Sequence, residues 1–136
     1  LDRIVQMCSW GGPFGLRLSV YKEFTFEAAH HLPTLFDDDH ANARLHGHSF
    51  RVRVWVSQPE ETHVDLVMDL GEIQSRLSGI QNELDHQYLN KVEGLEQPTL
   101  EHICNWIFKR AASAIHGVSA VEVHRDTCNE GCKLER

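Results

Sequence analysis

Between residues 49 and 56 the chain alternates without a break, with Phe50, Val52, Val54 and Val56 in one phase and Ser49, Arg51, Arg53 and Trp55 in the other. A period of two sends successive side chains to opposite faces, so this segment fits a strand with one buried and one wet side. Such a strand needs partners in a sheet and a second layer over its apolar face. Upstream, Leu16, Leu18 and Val20, then Phe24, Phe26 and Ala28, keep the same period. They predict one long strand with an irregularity near residues 21–23. Residues 58–62, punctuated by Pro59, read as a hairpin loop, and residues 63–68 as the returning strand. Residues 118–127 read as a last strand and residues 128–136 as a tail.

Two other segments carry a helical period. Ile73, Leu77, Ile80 and Leu84 recur at four, three and four behind Asp69, a capping residue type; Gly79 weakens this helix slightly. Leu100, Ile103, Ile107, Ala111 and Ala114 form a second stripe behind Pro98 and the cap Thr99, with Gly117 where a helix should stop. The order strand, strand, strand, helix, helix, strand predicts an α+β chain with an antiparallel sheet and helices on one face. A small sheet with open edges invites pairing between subunits, so a homo-oligomer is expected.

The chain has 136 residues, enough for one domain. Residues 1–15 contain Pro13 and several glycines, hold no period, and read as an N-terminal extension to a domain spanning residues 16–136. They do not follow a signal-peptide pattern, and no stretch approaches the run of about 20 apolar residues of a membrane helix. The formal charge of −7 argues against nucleic-acid binding, which needs clustered Lys and Arg, but leaves room for an anionic small molecule. Cys8, Cys104, Cys128 and Cys132 lack a zinc or redox spacing and read as reduced thiols of a cytoplasmic protein.

Among ten histidines, three are placed to act together. His46 and His48 open the second strand two residues apart, so both rings face one side, with Gly47 leaving space between them. His30 ends the first strand in the phase of Phe24, Phe26 and Ala28; if the two strands pair antiparallel, it arrives beside them. His31 has the opposite phase. Three neutral imidazoles with an open fourth position match a catalytic zinc site, although ligand type alone also admits iron, copper or nickel. A lone H-x-H, by contrast, is more often ordinary surface or core hydrogen bonding.

At these residues the chain resembles the 6-pyruvoyltetrahydropterin synthase family. Phe24-Thr25-Phe26-Glu27-Ala28-Ala29-His30 and Leu45-His46-Gly47-His48-Ser49-Phe50 are similar to its zinc motifs. Met68-Asp69-Leu70 resembles the entry to its first helix, Leu84-Asp85-His86 with Tyr88-Leu89-Asn90 its catalytic segment, and Pro98-Thr99 with Glu101 the start of its second helix. Asp126-Thr127-Cys128, Gly131 and Cys132 resemble the tail of the branch that makes 6-carboxy-5,6,7,8-tetrahydropterin on the route to queuosine and other deazaguanines.

The resemblance implies the tunnelling fold (T-fold), a four-stranded antiparallel sheet with two helices on one face. Subunits join edge to edge into an oligomeric barrel, as trimers stacked into hexamers with active sites between subunits. It implies Zn2+ on His30, His46 and His48, a pterin triphosphate substrate, and conversion of 7,8-dihydroneopterin triphosphate into 6-carboxytetrahydropterin with loss of triphosphate and acetaldehyde. Asp85 and His86 would be the proton relay, and Asp126 with Thr127 the pterin anchor. Two departures stand out. Asn42 occupies the position of the family's cysteine, and a carboxamide neither takes nor gives a proton near neutral pH; Asp39 and His40 lie in the same loop as replacements. Asp126 stands where the family has Glu, and the preceding strand gains a residue at Arg125, which predicts a bulge or a register change there. A related synthase acting on another side chain and a metal-bound pterin-binding protein with little catalysis are the alternatives; simple metal storage is the weakest.

Overall fold

Strands β1 (Ser19–His30) and β2 (His46–Ser57) pair antiparallel along their whole length, from Ser19 opposite Ser57 to His30 opposite His46. The computed structural model describes residues 17–59 and 64–136. The expected extension, Leu16, Cys8, His63 and part of the 58–62 loop lie outside the described residues. No register break occurs near residues 21–23, because Tyr21, Lys22 and Glu23 pair in sequence with Trp55, Val54 and Arg53.

The sheet order is β3-β1-β2-β4-β5, with β3 at Gln87–Tyr88, β4 at Val118–Arg125 and β5 at Glu130–Glu135. Its antiparallel part has four strands, as expected, but not the expected four. Residues 64–68 form bends rather than a returning strand. The free edge of β2 is taken by β4, whose Val118, Ala120, Val121 and Val123 are buried, while Val67 and Met68 pack from the side at the edge of the core. The tail is not loose either. A turn at Asp126–Cys128, ending on Asn129 at φ 55°, folds it back as β5 against β4. Gly131 makes that return possible: a Cβ there would meet His124 Nδ1 at 2.5 Å. The two-residue β3 adds a short parallel contact to Ala28 and Ala29 of β1. The expected bulge at Arg125 is absent, since Arg125 stays in register with Glu130; the shift lies between Trp55 and Val56, opposite residues 118–120.

Helices α1 (Leu70–Leu84) and α2 (Leu100–Ala114) cover one face of this sheet, and both caps act as their sequence suggested. The Asp69 carboxylate accepts from the Gly71 amide and the Thr99 hydroxyl from the His102 amide. Ile73, Leu77, Ile80 and Leu84 of α1 and Ile103, Ile107 and Ala111 of α2 are buried against Phe26, Phe50, Val52 and Val54. The rings of Phe26 and Phe50 stack 4.7 Å apart across the first two strands. Their phase runs on along each strand to its end, where histidines take the place of apolar residues, His30 buried and His46 and His48 half-buried. No helix among the described residues is long and apolar enough to cross a membrane.

Candidate metal centre and adjoining groove

Pairing of His30 with His46 in the sheet register brings the two rings to 4.6 Å between centroids, and His48, two residues along, to 5.1 Å from His30. One nitrogen from each of the three lies within 4.8 Å of the others. His31, in the opposite phase, is engaged elsewhere: its Nδ1 meets the Tyr88 hydroxyl at 2.7 Å, and Asn90 clasps its backbone from both sides.

The orientation of two of these rings is fixed by backbone carbonyls. His30 donates Nδ1–H to Pro98 O at 2.8 Å, and His46 donates Nδ1–H to Arg44 O at 2.7 Å. A carbonyl only accepts, so in each neutral ring the lone pair is on Nε2. Those two Nε2 atoms face each other at 3.0 Å. Two lone pairs at that distance repel unless a cation lies between or beside them. Two Zn–N bonds of about 2.0–2.1 Å at a tetrahedral angle would set the nitrogens roughly 3.3 Å apart. Burial pushes the His30 pKa down to about 4, with its neighbouring imidazoles adding to the effect, so a bound proton is disfavoured. The donor set therefore fits a divalent ion of zinc type, with each oriented ring held from behind by an acceptor.

His48 is held less tightly. Its Nε2 is 3.4 Å from Arg125 NH1 and its Nδ1 is 3.9 Å from Cys128 Sγ. Burial and then the Arg125 charge lower its pKa as well. Neither Arg125 nor Cys128 was assigned a role here from sequence. The Asp-Thr-Cys segment was the one signal for the thiol, and nothing local points to the guanidinium. Pro98 is equally remote in sequence, whereas Arg44 lies two residues before the ring it holds.

Beside the histidines opens a groove of about 610 Å³ whose lining includes Glu27, His48, Ser49, His86, Tyr88 and Thr127. Asp85 and His86 act as a unit at its rim. Asp85 Oδ1 accepts from the Glu27 amide at 2.9 Å, and Asp85 Oδ2 is 2.9 Å from His86 Nδ1. The backbone hydrogen bond from Glu27, then the one from His86, hold the Asp85 carboxyl below its usual range. His86 adopts φ 60°, a left-handed conformation uncommon outside glycine, and its amide donates to Glu27 O at 2.6 Å. Its imidazole is 80% exposed, and Nε2 has no hydrogen-bond partner among the described residues.

The other expected site residues fall at varied distances from this groove. Thr127 lines it. Asp126 lies in the turn beside it, with its carboxylate gripped by Arg51 at 2.8 and 3.0 Å, and that guanidinium holds it well below the usual carboxylate range. Asn42 sits in a 3₁₀ turn at Ala41–Ala43; its carbonyl accepts from the Leu32 amide. His40 caps that turn through Nδ1 and stacks on Phe36, and Asp39 is exposed. Neither lines the groove. Among the described residues, Cys104, Cys128 and Cys132 are free thiols.

Comparison with known proteins agrees with this architecture. The family profile described as 6-pyruvoyl tetrahydropterin synthase matches residues 19–136. A 6-carboxy-5,6,7,8-tetrahydropterin synthase of Synechocystis sp. is 42% identical over 120 residues, covering 84% of this chain and 90% of that protein. A dihydroneopterin monophosphate aldolase of Pyrococcus furiosus is 37% identical over 73 residues, covering 54% of this chain and 60% of that protein. Among solved structures, the 6-pyruvoyl tetrahydropterin synthase of Caenorhabditis elegans superposes with a TM-score of 0.74 at 20% identity, covering 88% of this chain and 96% of that one.

Proposed function

The chain belongs to the 6-pyruvoyl tetrahydropterin synthase family, and on that premise we propose that it is a zinc-dependent lyase acting on 7,8-dihydroneopterin triphosphate to form 6-carboxy-5,6,7,8-tetrahydropterin, in the biosynthesis of queuosine and related deazaguanines. The observation that carries the metal part is the facing pair of Nε2 lone pairs at 3.0 Å, each ring oriented by a backbone carbonyl. The substrate and product rest on the Synechocystis relative, which is similar over most of both chains.

His30, His46 and His48 would hold the zinc, which when bound supplies Lewis-acid polarisation of the substrate's side-chain hydroxyls. His86 moves protons at Nε2. Asp85 accepts its Nδ1–H, fixes the tautomer and stabilises the imidazolium that forms when Nε2 takes a proton. Thr127 and Ser49 offer hydroxyls at the groove wall. Asp126, in the turn beside the groove, would meet the pterin donors through lone pairs that Arg51 leaves free. Asn42 neither takes up nor releases a proton near neutral pH, so His86 takes the larger share of the acid–base work.

A second reading is an aldolase-type cleavage of a dihydroneopterin phosphate, favoured by the Pyrococcus relative and by Asn42. Incubation of the zinc-loaded protein with dihydroneopterin triphosphate, and separately with the monophosphate, distinguishes them. Carboxytetrahydropterin with acetaldehyde supports the synthase. A hydroxymethyl pterin from the monophosphate alone supports the aldolase. Silence from the native chain but turnover by Asn42→Cys would show a family member lacking its proton carrier.

A further inference from the structure

Arg125, beside the three-histidine centre, leaves part of its hydrogen-bonding capacity unused. Its Nε is buried with no partner among the described residues. NH2 is paired with Glu130 Oε1 at 2.7 Å, and NH1 reaches His48 Nε2 at 3.4 Å, long for a hydrogen bond. The side chain is 15% exposed, yet a guanidinium stays charged under all ordinary conditions. A buried charged donor without an acceptor is costly, and Glu130 answers one nitrogen and leaves two.

The ligand set beside it carries no negative charge. A divalent ion on three neutral imidazoles would stand next to this guanidinium with no anion among its ligands. In a partly desolvated site two such cations repel strongly. One oxyanion touching both removes the repulsion and supplies the acceptor that Nε and NH1 lack. Arg favours carboxylate and phosphate oxygens because its planar array of donors matches their geometry.

We propose that Arg125 and the three-histidine centre together form an oxyanion subsite, which takes a carboxylate or phosphate oxygen on the substituent of the bound pterin. This deepens the metal-and-pterin reading above and rests on it. Arg125 is then a specificity residue, selecting anionic substituents over neutral ones. Glu130 is a positioning residue that turns the remaining nitrogens toward the centre.

The test uses the Co2+-loaded chain, whose visible absorption reports changes at the metal, titrated with pterin-6-carboxylate, 6-methylpterin and inorganic triphosphate. The native protein should bind pterin-6-carboxylate or triphosphate in an Arg125-dependent way, the former about tenfold or more tighter than 6-methylpterin if the anion is a carboxylate. Arg125→Gln should erase that anion preference while leaving 6-methylpterin affinity and cobalt stoichiometry unchanged, and Arg125→Lys should keep part of it. Dependence of triphosphate binding alone on Arg125 assigns the subsite to phosphate; dependence of pterin-6-carboxylate alone assigns it to carboxylate. Equal anion binding by the native protein and Arg125→Gln overturns the proposal. If Arg125→Gln fails to fold, the native protein decides by linkage: saturating anion should raise Co2+ affinity about fivefold or more, and no rise overturns the subsite. Failure of 6-methylpterin to bind, with triphosphate still binding through Arg125, would sink the pterin reading and support the subsite.

Discussion

His46 shows how little backbone a candidate metal ligand needs around it: a carbonyl two residues earlier orients its ring, and the strand phase delivers it to His30. Removing that ring leaves His30 and His48 with no third nitrogen, so His46→Ala and His48→Ala should each purify with nearly all zinc lost. Metal analysis on protein refolded with excess zinc checks this, and full occupancy of either variant would refute the site. Gly131 is a second residue with no substitute. A Cβ would lie 2.5 Å from His124 Nδ1 and 3.1 Å from Val123 O, so Gly131→Ala forces the β4–β5 pair apart or the His124 ring aside. The expected destabilisation is about 1–3 kcal/mol, read from the urea midpoint with an unchanged slope.

At the level of elements, α2 contributes more to the centre than its own residues. The carbonyl that orients His30 belongs to Pro98, directly before the cap Thr99. Thr99→Ala should cost about 1 kcal/mol of stability and, by letting the first turn fray, weaken zinc binding as well. Equilibrium dialysis against a competing chelator measures the second effect. Thr99→Ser, which restores the cap, should restore affinity, whereas loss of stability with zinc affinity intact would separate the helix start from the ring it positions. The β1–β2 ladder is the other element the site depends on. Its unbroken register sets His30 opposite His46, and a slip of one residue would put His30 and the His46 and His48 pair on opposite faces of the sheet.

For the molecule as a whole, the open margins of the sheet decide assembly. Beyond its contact with the two residues of β3, β1 has no strand partner on its outer edge over residues 19–27 within the described chain, where the Gln81 side chain meets the Thr25 carbonyl and Asp85 and His86 hold Glu27, and β5 is the opposite edge. Exposed edges of this length are commonly closed by a neighbour. We expect a trimer or hexamer, with turnover lost on dilution to monomer; sedimentation combined with activity across a concentration series tests it, and a fully active monomer would refute it. His86, 80% exposed at the rim of the groove, is the residue such a neighbour would shelter.

Much of this was legible in the chain itself, because local periodicity constrains local structure. The two long strands, both helices with their caps, and the common phase of His30, His46 and His48 follow from spacing alone, since a side chain's face is set by its position in its own element. Strand partners do not follow in that way. Residues 64–68 have a plausible strand pattern but join no strand among the described residues, while residues 130–135 become a strand because a left-handed Asn129 turns them back onto β4. Competition for an edge is settled by which segment the rest of the fold can deliver there. The same holds at the centre: the Pro98 carbonyl behind His30, the Arg125 guanidinium against His48 and the grip of Arg51 on Asp126 join residues separated by 68, 77 and 75 positions. Contacts between residues so far apart leave no local pattern to read, and only tertiary packing creates them.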